Sequence, residues 1–225
     1  MKTDELIDRL GRDATVVTPL RAPGRRAALW LLWGGLYLAL FALMKFGMMS
    51  TTELAMTPLY LVQQGAAIFT AITAAHAALA SVIPGAPRRV WGPPLAGAAV
   101  WIASLLWGAA LDVRALGTFG VLHESDWPCV ASMVIGGVVL GGPLMWMLRR
   151  GAPLTPRTTG LLAGLGALGL ANVEACLTRP HAFAMTVLLW HGMTAAFCAL
   201  VFAGVGRNWL RWPETSSGSH SVSAR

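Results

Sequence analysis

At 225 residues, with 56% hydrophobic residues, only 12% charged residues and a mean hydropathy of +0.61, the chain lies well outside the range of soluble globular domains. This is the composition of an integral membrane protein. The formal charge of +7 comes from basic residues scattered in short clusters beside apolar runs, the arrangement of topology signals, and it argues against direct nucleic-acid binding.

The chain opens with Met1-Lys-Thr-Asp-Glu-Leu-Ile-Asp-Arg-Leu-Gly-Arg-Asp13, which reads as a short amphipathic helix. Thr3 can cap it, Asp4 and Glu5 sit in the positive first turn, and Leu6, Ile7 and Leu10 share a face. A helix this short is marginal alone in water and needs something to dock on. Asp4, Glu5, Asp8 and Asp13 offset Lys2, Arg9 and Arg12, so a protein groove fits better than anionic lipid. The competing reading is a leader folded against the inner loops. Val16 to Pro23, with Pro19 and Pro23, should be an extended tether.

The first apolar stretch begins near Ala27, behind an acid-containing segment and without a small-residue cleavage site, which speaks against a secretory signal peptide. Six stretches reach the length needed to cross about 30 Å of hydrocarbon: roughly 27 to 44, 57 to 82, 92 to 111, 128 to 147, 158 to 176 and 182 to 205. The predicted fold is all-α: a bundle of six transmembrane helices over 27–206, a cytoplasmic arm over 1–26, and a disordered Ser-rich cytoplasmic tail over 207–225.

Basic residues decide the orientation. With both termini inside, only Lys45, Arg114 and Arg179 of the 17 lysines and arginines face out, while the ten acidic residues divide evenly. That bias places the N- and C-termini in the cytoplasm.

The segment His123-Glu-Ser-Asp-Trp-Pro-Cys129-Val re-enters the lipid at Pro128, a residue favoured at the first helical position, and sets Cys129 in the first turn. The next two spans form a hairpin centred between residues 152 and 153. Cys129 and Cys176 are equidistant from that centre and should stand at one height on the outer side. Gly137 with Gly141, and Gly160 with Gly164, would let these two helices approach closely. A helix N-terminus favours thiolate at Cys129, whereas Cys176 ends its helix beside Glu174. Cys129 is therefore the expected reactive thiol and Cys176 the resolving one.

His123 and His181 fall at the same level, so a mixed Cys/His metal site is one option, although the spacing matches no standard zinc pattern. Two unrelated membrane cysteines are the alternative. Cys198 lies deep in the last span and reads as packing. His191 is near the midplane, and with His76, Gln63 and Gln64 it is a candidate for a buried polar network or for the lining of a small six-helix transporter or channel. There is no C-x-x-C, H-E-x-x-H, G-x-S-x-G or phosphate loop, so no enzyme is expected.

Met1-Lys-Thr-Asp-Glu-Leu-Ile7, Asp126-Trp-Pro-Cys129, Trp146-Met-Leu-Arg-Arg-Gly-Ala-Pro-Leu-Thr-Pro-Arg157 and Leu189-Trp-His-Gly192 together resemble the NrsF family, negative regulators of the extracytoplasmic-function sigma factor SigF in proteobacteria. The resemblance runs from residue 1 to about 212. It implies a six-helix inner-membrane anti-sigma factor whose arm, through Asp4, Glu5, Leu6, Ile7 and Leu10, holds the sigma factor. Its outward cysteines would answer heavy-metal or oxidant stress. Cys129 matches by its Asp-Trp context; Cys176 matches by position, in looser surroundings. The resemblance implies no fixed cofactor beyond a transient heavy-metal ion at Cys129 and Cys176. The partners are a sigma factor and the bilayer, and a homodimer stays open.

Overall fold

A computed structural model describes residues 3–13, 20–46, 57–117, 127–151, 153–178 and 183–210. Those residues are all-helical: α1 Thr3–Asp13, α2 Pro23–Phe46, α3 Pro58–Ser81, a short 3-10 turn Arg88–Trp91, α4 Gly92–Leu116, α5 Trp127–Arg149, α6 Pro156–Thr178 and α7 Ala184–Trp209. Helix ends follow local chemistry. Thr57 caps α3, its hydroxyl accepting from the Tyr60 amide at 3.2 Å, and Pro58 occupies the first turn. Gly117 ends α4 at φ 71°, a left-handed conformation that glycine adopts without steric cost.

Helices α2 to α7 coincide with the six expected spans, but only five are both long and apolar enough to cross a membrane. The exception is α3. Its length suffices, yet Gln63, Gln64 and His76 interrupt its apolar run, and much of the remainder is alanine rather than leucine. Position explains the difference. Ala71, Ala74, Ala75, Ala77 and Ala78 are fully buried against neighbouring helices, so this face of α3 is turned inward and is built from small side chains. The expected count of six apolar spans is corrected to five.

Helix α6 is the hub, packed against α3, α5 and α7. Its small residues permit this on separate faces. Gly166 and Gly169 lie against Ala67, Ala71 and Ala75 of α3, whereas Gly160 and Gly164 lie against Ala199, Phe202 and Ala203 of α7. The sequence reading set Gly160 and Gly164 against α5; they face α7 instead. On α5, Gly137 does meet α6, at Leu168, but Gly141 meets Phe202 of α7. The reason is that α6 is surrounded, and each of its faces needs its own close approach.

Helix α1 has Asp4 and Glu5 in its first turn and leaves Ile7 60% exposed. Among the described residues it is not packed extensively against the other helices. The side chains of Leu6 and Leu10 lie outside the described set.

Candidate functional site

Both cysteines sit at one end of the bundle. Cys129 occupies the first turn of α5 and Cys176 the last turn of α6. Both are buried, with 6% of their surface exposed, neither forms a disulfide, and they lie within electrostatic reach of each other. Neighbouring helices cover both sulfurs at this end of the bundle.

A polar cluster surrounds Cys176. Its thiol lies 3.9 Å from Asn172 Oδ1 and 3.9 Å from His191 Nδ1, and Gln64 contributes a side-chain hydrogen bond. His191 Nδ1 is 2.9 Å from Asn172 Oδ1, and because that oxygen only accepts, Nδ1 carries the hydrogen. Asn172 stands one helical turn before Cys176, so the two share a face of α6. Residues from α3, α6 and α7 thus meet at one sulfur. Gln64 Oε1 and Asn172 Nδ2 are buried without a hydrogen-bond partner, an expensive arrangement that an all-packing role for these groups would not require.

Cys176 also borders a cavity of about 190 Å³ between the ends of α3, α4, α6 and α7. By the same measure a single water needs roughly 10–15 Å³, so small solutes fit. Thr57, Tyr60, Gln63, Gln64 and Asp112 give it polar walls. Asp112 belongs to α4, where its carboxylate accepts from the Ala184 amide at 3.0 Å and caps α7 from outside. Cys129 is not among the lining residues. Through this cavity Cys176 has a solute-sized approach.

Gln63 donates to the Ser104 carbonyl at 3.4 Å and lines the cavity. His76 does not join it: three turns further along α3, it is exposed. His123 and His181 lie outside the described residues. Among the described residues, no group of three or more His, Cys, Asp or Glu side chains is placed to hold a metal ion. Cys198 packs beside Met133, Leu168 and Ala199.

A second polar feature escaped the sequence reading. Arg26, Trp30, Trp33 and Tyr37 project from one face of α2 toward α5 and α6. Arg26 donates to the Met147 carbonyl, Trp30 to the Leu140 carbonyl at 2.8 Å, Trp33 to the Val139 carbonyl at 3.3 Å, and Tyr37 to Glu174 Oε2 at 2.6 Å. The 4-3-4 spacing of these donors was the available signal. Glu174 is only 2% exposed, and Gly136 of α5 is what makes room for its carboxylate.

An all-helical bundle with several helices apolar enough for a bilayer, and a buried thiol cluster at one end, defines a class compatible with membrane insertion. The family model described as "Negative regulator of sigma F", NrsF, matches residues 10–212. The chain is 30% identical over 229 residues to the anti-sigma-F factor NrsF of Caulobacter vibrioides (strain NA1000 / CB15N), covering 94% of this chain and 100% of that relative. It is 27% identical over 217 residues to the probable anti-sigma-F factor NrsF of Azospira oryzae (strain ATCC BAA-33 / DSM 13638 / PS), with the same coverage. No solved structure matches. The chain belongs to the NrsF family, a family of regulators and not of enzymes.

Proposed function

We propose that this protein is an inner-membrane anti-sigma factor. It holds an extracytoplasmic-function sigma factor of the SigF type through its N-terminal arm and releases it when chemistry at Cys129 and Cys176 repacks the bundle. The observation that carries the reading is the family match along nearly the whole chain. The placement of the elements supports it. The arm leads into α2 at the end of the bundle opposite the cysteines, where Arg26 meets the C-terminal end of α5. Arg149 lies over the Trp209 ring there at 5.9 Å, so α7 ends at that same face. Arg25, Arg26, Arg89, Arg149, Arg150, Arg157 and Arg207 collect at this end, which is the cytoplasmic face under the positive-inside rule.

In this reading Leu6, Ile7 and Leu10 enter an apolar groove of the sigma factor, with Asp4 and Glu5 meeting basic residues at its rim. Inducers reach Cys176 through the cavity bordered by Asp112 and Gln63. A soft cation deprotonates a thiol as it binds and so overcomes burial, whereas an oxidant needs a thiolate already formed. Asn172, His191 and Gln64 hold the sulfur in place.

The test is a pulldown from detergent-solubilised membranes with the full chain as bait. Replacing Leu6 and Leu10 with aspartate removes two apolar anchors and is expected to weaken sigma-factor retention by roughly 100-fold or more, while the protein stays in the membrane fraction. Undiminished retention by that double variant would refute the arm's role.

A further inference from the structure

The face of α2 that carries Arg26, Trp30, Trp33 and Tyr37 is chemically unlike the rest of that helix. Leu29, Leu32, Leu36, Leu40 and Leu43 are exposed, as on a helix at the rim of a bundle, so apolar packing alone fixes its register weakly. Its polar side chains are all donors, and every acceptor lies on α5 or α6.

The acceptors are not arbitrary. Pro143 lies inside α5 and has no N–H, so the carbonyl four residues earlier, Val139, loses its helical donor. Trp33 Nε1 donates to that carbonyl. Trp30 donates to Leu140, the next residue, from a fully buried ring. Met147, which Arg26 engages, lies in the last turn of α5, where carbonyls lack intrahelical partners. Where water is absent, each unsatisfied carbonyl is costly. The donors on α2 thus complement a built-in defect and the frayed end of α5. The fourth donor, Tyr37, reaches Glu174, two residues from Cys176 on α6.

We infer that this donor face is the relay between the two ends of the molecule: α5 bends at Pro143, and the carbonyls and carboxylate it shares with α6 carry α2, and with it the arm, from one seating to another. A proline inside a helix is where bending is least costly. Helix α5 begins at the Cys129 end, so displacement there pivots about the segment that Trp30 and Trp33 grip. Helix α6 links Cys176 to Tyr37 through Glu174. Both thiols therefore have a hydrogen-bonded route to α2, the helix that continues from the arm.

The inference rests on the proposed anti-sigma function, and its test separates the two. The full chain, labelled with 5-fluorotryptophan and reconstituted in nanodiscs with the sigma factor bound, is titrated with cadmium chloride while fluorine NMR follows Trp30 and Trp33, assigned by the Trp30→Phe and Trp33→Phe variants. The relay requires both resonances to shift as the sigma factor leaves, and requires neither to shift in the Cys129→Ser, Cys176→Ser double variant. Release with both resonances unmoved overturns the relay and leaves the anti-sigma reading standing. Shifts without release overturn that reading and keep the mechanical coupling; no change in either overturns both. As a second arm, Trp33→Phe should weaken basal retention by about threefold to tenfold, the scale of one hydrogen bond. Adding Pro143→Ala, which gives Val139 its helical donor again, should restore it; absence of that rescue in a chain that still inserts also counts against the relay.

Discussion

Substitution of Gly160 by valine is expected to lower the thermal midpoint of the detergent-solubilised protein by roughly 10 °C, and Gly204 to valine to leave it nearly unchanged. The two glycines lie on helices in mutual contact, yet their surroundings differ. A Cβ at Gly160 would collide with the Phe202 carbonyl, with the Ala203 Cα at 3.2 Å behind it, whereas a Cβ at Gly204 meets nothing within 4 Å. Side chains can yield to an added methyl, but here the obstacle is backbone, so α6 and α7 must separate. These two helices pack more extensively than any other pair. In addition, Gly206 sits at the same crossing, where its own Cβ would lie 3.1 Å from the Gly160 Cα. Over-packing costs about 3 kcal/mol, occasionally more, and each kcal/mol moves the midpoint of a chain this size by roughly 2–4 °C. Equal midpoints for the two variants, followed by circular dichroism or by fluorescence-detected size exclusion after heating, would mean that α6 and α7 do not cross at Gly160.

How far the sequence discloses this architecture depends on which signal is local. Each apolar run is self-announcing because a backbone in hydrocarbon must close its own hydrogen bonds, so the extents of α2 to α7 were legible to within a few residues. The membrane suitability of α3 was less legible. Gln63, Gln64 and His76 dilute its apolar character; the burial of Gln64 among other helices is a tertiary fact, whereas His76 is exposed. Glycine spacing told that helices approach closely but not which ones. On α6, glycines at 160 and 164 serve α7, and those at 166 and 169 serve α3, a division set by rotation about the helix axis that a single sequence leaves open. The common height of Cys129 and Cys176 followed from counting along a hairpin. The burial of both sulfurs and the approach to Cys176 did not, because cavities are made by several helices at once. Asn172 and Glu174 were overlooked as partners for the same reason. Their acceptors and donors lie on α2 and α7, 137 and 19 residues away in the chain.

Cys176 to serine is expected to yield a protein that folds, binds the sigma factor and no longer releases it. The hydroxyl keeps a hydrogen-bonding group beside Asn172 Oδ1 and His191 Nδ1, so the cluster linking α6 to α7 survives, at a cost of about 1 kcal/mol for the smaller atom. What is lost is sulfur chemistry. Turning a population from 99% holding to 99% released needs about 5.5 kcal/mol of differential stabilisation, and an oxygen in place of sulfur offers neither a soft-metal bond nor a disulfide from which to draw it. A sigma-dependent reporter in cells carrying this variant should therefore stay at its repressed level under cadmium or peroxide, with induction falling from the wild-type response to about onefold. Cys129 to serine should do the same if the two thiols act as a pair. Cys198 to serine, changed among Met133, Leu168 and Ala199 and away from the cavity, should induce normally. A reporter that still responds through serine at 176 would move the sensing chemistry elsewhere. Loss of response with serine at 176 but not at 129 would instead assign the chemistry to the one thiol that the cavity reaches, with Asn172, Gln64 and His191 as its supporting groups. The two-thiol and one-thiol mechanisms thus part on a single pair of substitutions, because geometry gives the sulfurs a common height but gives the approach to Cys176.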